Sequence, residues 1–192
     1  MRWSPTNPAR LCCMISGGGR TVLNLQDAID RGELPARIAL VIASGPCAGI
    51  ERCEQRGLRV VTMPGVISAD ALGSTLREHA IDLVVLAGYL KIVRIPAGFS
   101  RRVINIHPAL LPKFGGKGMH GMHVHEAVIA AGESESGCTV HYCDEQYDTG
   151  QIILQGRCPV LAGDTPDALA ARVFGVECDT YPKAIAMVLR NI

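Results

Sequence analysis

The chain has few of the residues that build nucleic-acid platforms. One Trp, four Tyr and three Phe in 192 residues leave little on which bases could stack. Nineteen Lys and Arg against eighteen Asp and Glu give a net charge of +1. The basic residues are scattered, so the sequence predicts no phosphate-wrapping surface and no nucleic-acid partner. No apolar run approaches the roughly 20 residues of a membrane span. The start, Met1 to Arg10, carries Trp3, Pro5 and Pro8 but lacks the apolar stretch of a secretory signal. None of the eight cysteines (Cys12, Cys13, Cys47, Cys53, Cys138, Cys143, Cys158, Cys178) has a C-x-x-C neighbour, and several lie in apolar runs where a thiol acts as a small hydrophobe. A reduced, cytoplasmic chain is expected.

Two phosphate signatures are missing as well. Ser16-Gly17-Gly18-Gly19-Arg20-Thr21 is not G-x-x-x-x-G-K-[ST], which disfavours a nucleoside triphosphate hydrolase. It is not G-x-G-x-x-G either, and Ala43-Ser44-Gly45 stands where a dinucleotide enzyme places an acid on the ribose.

What is present is a chain with 48% hydrophobic residues, sized for one core. A short tail over residues 1–9, expected to be flexible, precedes a single domain over 10–192. Compact apolar runs at Arg10–Ile15, Ile38–Ala43, Arg59–Thr62 and Ile81–Ala87 read as strands. They alternate with helical patterns over Thr21–Arg31, Ile50–Arg56 and Ala69–His79. This predicts an α/β fold with a Rossmann-like, mostly parallel sheet covered by helices on both faces. A short helical piece is expected after Gly88, then a strand carrying Asn105 and His107, a glycine- and histidine-rich loop over Phe114–Met122, and a helix over His123–Ala131. Cys138–Cys143 and Ile152–Pro159 read as an antiparallel strand pair. A last helix runs from about Thr165 to Arg190, with Pro182 as a potential kink.

Asn105 and His107 are two apart at the end of an apolar run, so on a strand they project from one face. Pro108 ends that strand, which places an amide and an imidazole at a strand's carboxyl end, where open α/β sheets bind ligands. Alone, the pair reads first as polar groups satisfied by their own loop. The glycine turn before the first helix suits an anion at a helix N-terminus, and a tight structural turn explains it equally well. His120, His123 and His125 lack carboxylate or thiol partners at useful spacing, so no metal is expected.

Taken together, the blocks Ser16-Gly-Gly-Gly19, Leu86-Ala-Gly-Tyr-Leu-Lys-Ile92, Asn105-Ile-His-Pro-Ala-Leu-Leu-Pro112, Gly116-Lys-Gly-Met119, Gly137-Cys-Thr-Val-His141, Asp148-Thr-Gly-Gln-Ile-Ile153, Val176-Glu177 and Tyr181-Pro182 resemble the phosphoribosylglycinamide formyltransferases, in order and over nearly the whole chain. The resemblance implies formyl transfer from 10-formyltetrahydrofolate, as co-substrate, to the amine of glycinamide ribonucleotide, by a monomer or homodimer. It implies Asn105, His107 and Asp148 as the catalytic trio. It also implies Gly19, Arg20, Thr21 and Glu177 at the ribonucleotide, and Leu90, Lys91, Ile92 and Val93, with Asn105, at the folate. Arg20-Thr21 departs from the family's usual Ser-Asn or Thr-Asn, and an ungapped match puts Thr21, not Asn24, at the family's Asn. The family's arginine for the folate's glutamate tail has no counterpart between Gly65 and Ala80 before Arg77, which leaves that role to Lys91 or another base.

Within that resemblance, Asn105 would donate to the developing oxyanion and His107 would carry a proton, with Asp148 raising its pKa. The glycine loop would act as a flap hinged at Gly115, Gly116, Gly118 and Gly121. His141, on a strand beside the site, reads first as a buried structural histidine, with a catalytic role as the minor alternative, and Cys138 and Cys143 read as packing residues. A formyltetrahydrofolate hydrolase is disfavoured because the first strand begins at Arg10, with no room for that family's regulatory domain. A formyltransferase acting on tRNA is disfavoured by the end at Ile192 and the near-zero charge. A non-catalytic nucleotide-binding module would be marked by loss of a trio member.

Overall fold

The computed structural model describes residues 3–4 and 6–192; Met1, Arg2 and Pro5 of the expected tail lie outside the described residues. Among the described residues the strands are β1 (Ala9–Ile15), β2 (Ala36–Ala43), β3 (Val60–Thr62), β4 (Leu83–Leu86), β5 (Val103–His107), β6 (Glu135–Tyr142) and β7 (Ile152–Pro159). The helices are α1 (Arg20–Asp30), α2 (Ala48–Gln55), α3 (Ala69–Glu78), α4 (Met122–Ala130) and α5 (Pro166–Leu189). They form one sheet in the order β3-β2-β1-β4-β5-β6-β7. It is parallel from β3 through β5 and antiparallel across β5, β6 and β7. The expected α/β sheet with an antiparallel C-terminal pair is therefore the observed one.

Burial on both faces explains why the parallel strands carry unbroken apolar runs. Along β1, Leu11, Cys13 and Ile15 enter one core cluster while Cys12 and Met14 enter the other. The first cluster packs under α1 and α5 and the second under α3 and the segment leading to β5. A one-residue slip would exchange the two sets, so the fit of side-chain shapes in the two clusters, rather than polarity, selects the register.

The helix boundaries follow local chemistry. Ser68 accepts from Ala71 N–H at 3.2 Å and starts α3. Thr165 accepts from Ala168 N–H at 3.2 Å and, with Pro166 in the first turn, starts α5. Pro182 does not split α5, which is continuous over 24 residues. A proline leaves the carbonyl four residues earlier without its helical donor. That carbonyl belongs to Cys178, and Asn24 of α1 donates its side-chain N–H to it at 3.1 Å.

The helical piece expected after Gly88 is absent. Pro96 disfavours helical backbone at Ile95, and the segment instead turns twice, with Phe99 N–H donating to Pro96 O at 3.0 Å and Arg102 N–H to Phe99 O at 2.9 Å. In the part of the tail that is described, Trp3 Nε1 donates to Leu189 O at 3.0 Å, and the ring packs on the first core cluster.

Tyr181 ties α5 to the centre of the sheet. Its hydroxyl, fully buried, donates to Leu86 O at 2.8 Å and lies 3.3 Å from Ile104 O. Tyr181→Phe leaves these carbonyls facing a ring edge, and is expected to cost about 1–3 kcal/mol in urea unfolding; an unchanged midpoint would show that the bond contributes nothing.

Candidate functional site

The strand order reverses between β1 and β4, because the chain runs outward from β1 to β3 and then returns to β4 on the other side. The carboxyl ends of β1, β4 and β5 converge on that crevice, where ligands of open α/β sheets bind. After β1 comes the glycine turn, after β4 the segment from Gly88, and after β5 Pro108. Ser16 knits the first two together: its N–H donates to Gly88 O at 3.0 Å, its Oγ accepts from Leu90 N–H at 3.0 Å and meets Ser44 Oγ at 2.7 Å.

Among the described residues three cavities share Tyr147 and Asp148, and two of these also meet at Asn105. The larger, about 560 Å³, is lined by Arg20, Thr21, Leu90, Asn105, His107, Asp148 and Glu177, among others. The smaller, about 50 Å³, is lined by Lys91, Ile92, Val93, His141, Cys143 and Asp144. They share Tyr89, Asn105, Tyr147 and Asp148. The residues singled out from sequence are thus brought together, but divided: Leu90 faces the larger cavity, and Lys91, Ile92 and Val93 the smaller. Gly19 touches neither and works one step back. It caps α1 at φ 72°, where a Cβ would stand 3.0 Å from Gly49 Cα. Asn24 is taken up by Cys178, so Thr21, not Asn24, faces the cavity.

A second glycine sets the shape of that turn. Gly49 N–H donates to Gly17 O at 3.0 Å, and a Cβ on Gly49 would stand 2.5 Å from that oxygen and 2.8 Å from Ile15 Cδ1. Gly49→Ala is therefore expected to displace the turn and raise the KM of a ligand seated on it ~10-fold, about 1.4 kcal/mol. Steady-state kinetics checks this; an unchanged KM would mean that the turn does not touch the ligand.

Asp148 is presented by a loop that Asp144 organises. Asp144 accepts from Gln146 N–H at 2.9 Å and from Thr149 Oγ1 at 2.9 Å, and Asp148 itself lies at φ 58°, a left-handed conformation that Asp tolerates better than most residues. Its Oδ2 accepts from Gly116 N–H at 3.0 Å and lies 3.4 Å from His107 Nδ1, and its Oδ1 lies 3.4 Å from both Asn105 Nδ2 and His141 Nε2. Burial pushes the Asp148 carboxyl upward, but His141, His107 and the Gly116 N–H together outweigh it, so the pKa is held below the usual carboxylate value.

His107 is 3% exposed. Its Nε2 lies 2.7 Å from Phe114 O, and since a carbonyl only accepts, Nε2 carries the hydrogen. Nδ1 then faces the Asp148 carboxylate as a lone pair when the ring is neutral and as a charge-assisted donor when it is protonated. Burial lowers the His107 pKa and outweighs the opposing pull of Asp148 and Phe114 O, with His141 adding to the lowering. The expected pull of Asp148 is there and raises this pKa, and the desolvation of a deeply buried ring is the larger, opposing effect.

Asn105 offers both amide hydrogens inward, to Asp148 and, at 3.2 Å, to His141 Nε2. His141 Nδ1 donates to Tyr142 O at 2.9 Å, so Nε2 accepts from Asn105 when the ring is neutral and donates to Asp148 when it is protonated. His141 is therefore part of the constellation, opposite Asn105 in the β5–β6 register. Residues not anticipated from sequence also face the large cavity. Tyr89 and His125 line it, and the Tyr89 hydroxyl and His125 Nδ1 are buried without a hydrogen-bond partner. Gly115 is also a close approach, since a Cβ there would run into the Leu111 side chain.

Glu177 of α5 is pushed up to about 7 by burial, partly offset by the Arg20 guanidinium. Burial pushes the Cys138 thiol up to about 11 and the Cys143 thiol higher still, so neither offers a thiolate near neutral pH. All eight cysteines are free thiols. Among the described residues no helix is long and apolar enough to cross a membrane.

Residues 9–185 match the family described as formyl transferase. The chain is 40% identical over 185 residues to the chloroplastic phosphoribosylglycinamide formyltransferase of Vigna unguiculata, with 92% of this chain and 59% of that protein covered. It thus spans less than two thirds of that plant relative. It is 35% identical over 185 residues to the phosphoribosylglycinamide formyltransferase of Haemophilus influenzae, covering 92% of this chain and 85% of that one. Among solved structures, glycinamide ribonucleotide transformylase 1 from Symbiobacterium toebii superposes with a TM-score of 0.84 at 36% identity, over 93% of this chain and 86% of that one. A formyltetrahydrofolate deformylase from Pseudomonas syringae shares the fold, with a TM-score of 0.82 at 24% identity over 97% of this chain and 63% of that one.

Proposed function

The chain belongs to the formyl transferase family, and from that premise we propose that it transfers the formyl group of 10-formyltetrahydrofolate to the amine of 5-phosphoribosylglycinamide in purine biosynthesis. The observation that carries this reading is the meeting of two cavities at Asn105 and Asp148. A two-substrate acyl transfer needs such a junction, with each substrate entering from its own side.

In this reading Arg20, Thr21 and Glu177 hold the ribonucleotide, with the turn at Gly19 behind them, and Leu90, Lys91, Ile92 and Val93 hold the folate. The smaller cavity has room for only part of a heterocycle, so it must widen to admit the folate while Asp148 stays on His107. In the reaction the amine nitrogen gains a bond to the formyl carbon, and the bond from that carbon to the folate nitrogen breaks. One proton leaves the amine and one reaches the departing nitrogen. Asn105 turns an amide hydrogen from its long contact with Asp148 toward the formyl oxygen, an interaction typically worth ~3–4 kcal/mol when one such donor is deleted.

His107, neutral at pH 7 because it is buried, takes a proton on Nδ1, where Asp148 stabilises the imidazolium. It then gives a proton from Nδ1 to the departing nitrogen, while Nε2–H stays on Phe114 O. The segment from Gly116 to Met122 roofs the larger cavity and keeps water from the formyl group. General acid-base groups and an amide donor supply every element of this chemistry, so it calls for neither metal nor covalent enzyme intermediate. Free thiols throughout suit a reducing, cytoplasmic setting.

The test is transfer of a ¹³C-labelled formyl group. Label on the glycyl nitrogen of the ribonucleotide is the expected result; label appearing only as free formate would replace the transferase by a hydrolase.

A further inference from the structure

One contact in the larger cavity belongs to none of the roles above. The Arg20 guanidinium lies over the Phe174 ring, 4.0 Å from its centroid. Phe174 sits on the face of α5 that also presents Ala170, Val173 and Glu177 to the cavity. Positions 170, 173, 174 and 177 are three and four apart and so form one stripe. Arg20 therefore faces two groups on that stripe: the ring of Phe174, on which it rests, and, one turn further on, the carboxyl of Glu177, which feels its charge without an ion-pair contact. A flexible guanidinium with only the carboxyl to meet would collapse onto it and lose its charge to the pair. Stacking on the ring holds the plane flat and leaves its N–H edge free for an anion in the cavity. Glu177 is consistent with this, since its carboxyl stays high despite the nearby guanidinium.

We propose that Phe174 is a positioning residue that sets acceptor specificity: by holding Arg20 flat and away from Glu177, it makes the cavity prefer a phosphorylated acceptor to its dephosphorylated counterpart. This rests on the reading of the larger cavity as the ribonucleotide site.

The test compares wild type with Phe174→Leu, which keeps the bulk and removes the ring face, and Phe174→Tyr, which keeps the face. Two readouts are taken: kcat/KM for glycinamide ribonucleotide against the corresponding riboside, and the affinity for inorganic phosphate by calorimetry. Phe174→Leu is expected to lower the ribonucleotide-to-riboside preference about tenfold, through KM rather than kcat, and to weaken phosphate binding in parallel. Phe174→Tyr is expected to restore both. Equal losses on the two acceptors, or a fall in kcat in place of a rise in KM, would reduce Phe174 to a packing residue and overturn the proposal. So would phosphate binding indifferent to the leucine. If the wild type transfers formyl to neither acceptor while phosphate binding still tracks the ring, the acceptor assignment fails and the stacking device stands.

Discussion

His107→Ala is expected to lower kcat for formyl transfer ~10²–10⁴-fold while leaving ribonucleotide affinity nearly unchanged. The split follows from where the ring sits. It closes the floor of the larger cavity at the end of β5, with one nitrogen on Phe114 O and the other facing Asp148, and contributes nothing to the stripe on α5 or the turn at Gly19. Removing it deletes the group that carries the proton and keeps the surfaces that hold the nucleotide. Rapid-mix kinetics with calorimetric binding separates the two. Loss of affinity in proportion to turnover would mean that the ring is a binding residue.

Asp148→Asn is expected to lower turnover ~10²–10³-fold and also to move a titration. Asparagine tolerates the left-handed backbone at this position, so the loop is preserved. The substitution removes the one nearby charge that favours protonated His107 and leaves burial and His141 to oppose it. The His107 pKa, already below its usual value, is therefore expected to fall further, read by NMR titration of the ring; a rise would contradict the assigned electrostatics. Both groups also bear on stability. The pKa of His107 is lower folded than unfolded, so as pH falls from the ordinary histidine range through the folded value, the unfolded chain binds more protons and stability drops. Asp148 is depressed in the same way, and its contribution is lost at lower pH, as the pH passes from the ordinary carboxylate range through the folded value.

The sheet was legible because burial on both faces writes itself as uninterrupted apolar runs, as in Leu83–Leu86. Features that depend on partners distant in sequence were not. A helix through Pro182 needs the amide of Asn24, which lies on another helix. The membership of His141 in the site needs the β5–β6 register that sets it opposite Asn105. The stack of Arg20 on Phe174 joins residues from opposite ends of the chain, and in sequence Phe174 reads as one more apolar residue of a helix. The net direction of the His107 pKa was not legible for a related reason: a neighbouring carboxylate that raises it can be guessed from motifs, whereas the depth of burial that outweighs it belongs to the folded structure.

The most direct measurement is the rate at which 10-formyltetrahydrofolate loses its formyl group, followed spectrophotometrically with and without glycinamide ribonucleotide, with His107→Ala as the blank. Deformylated folate that accumulates only when the ribonucleotide is present, and only with the intact histidine, is the predicted result. Equal rates with and without the ribonucleotide, or no difference between wild type and the blank, would contradict it.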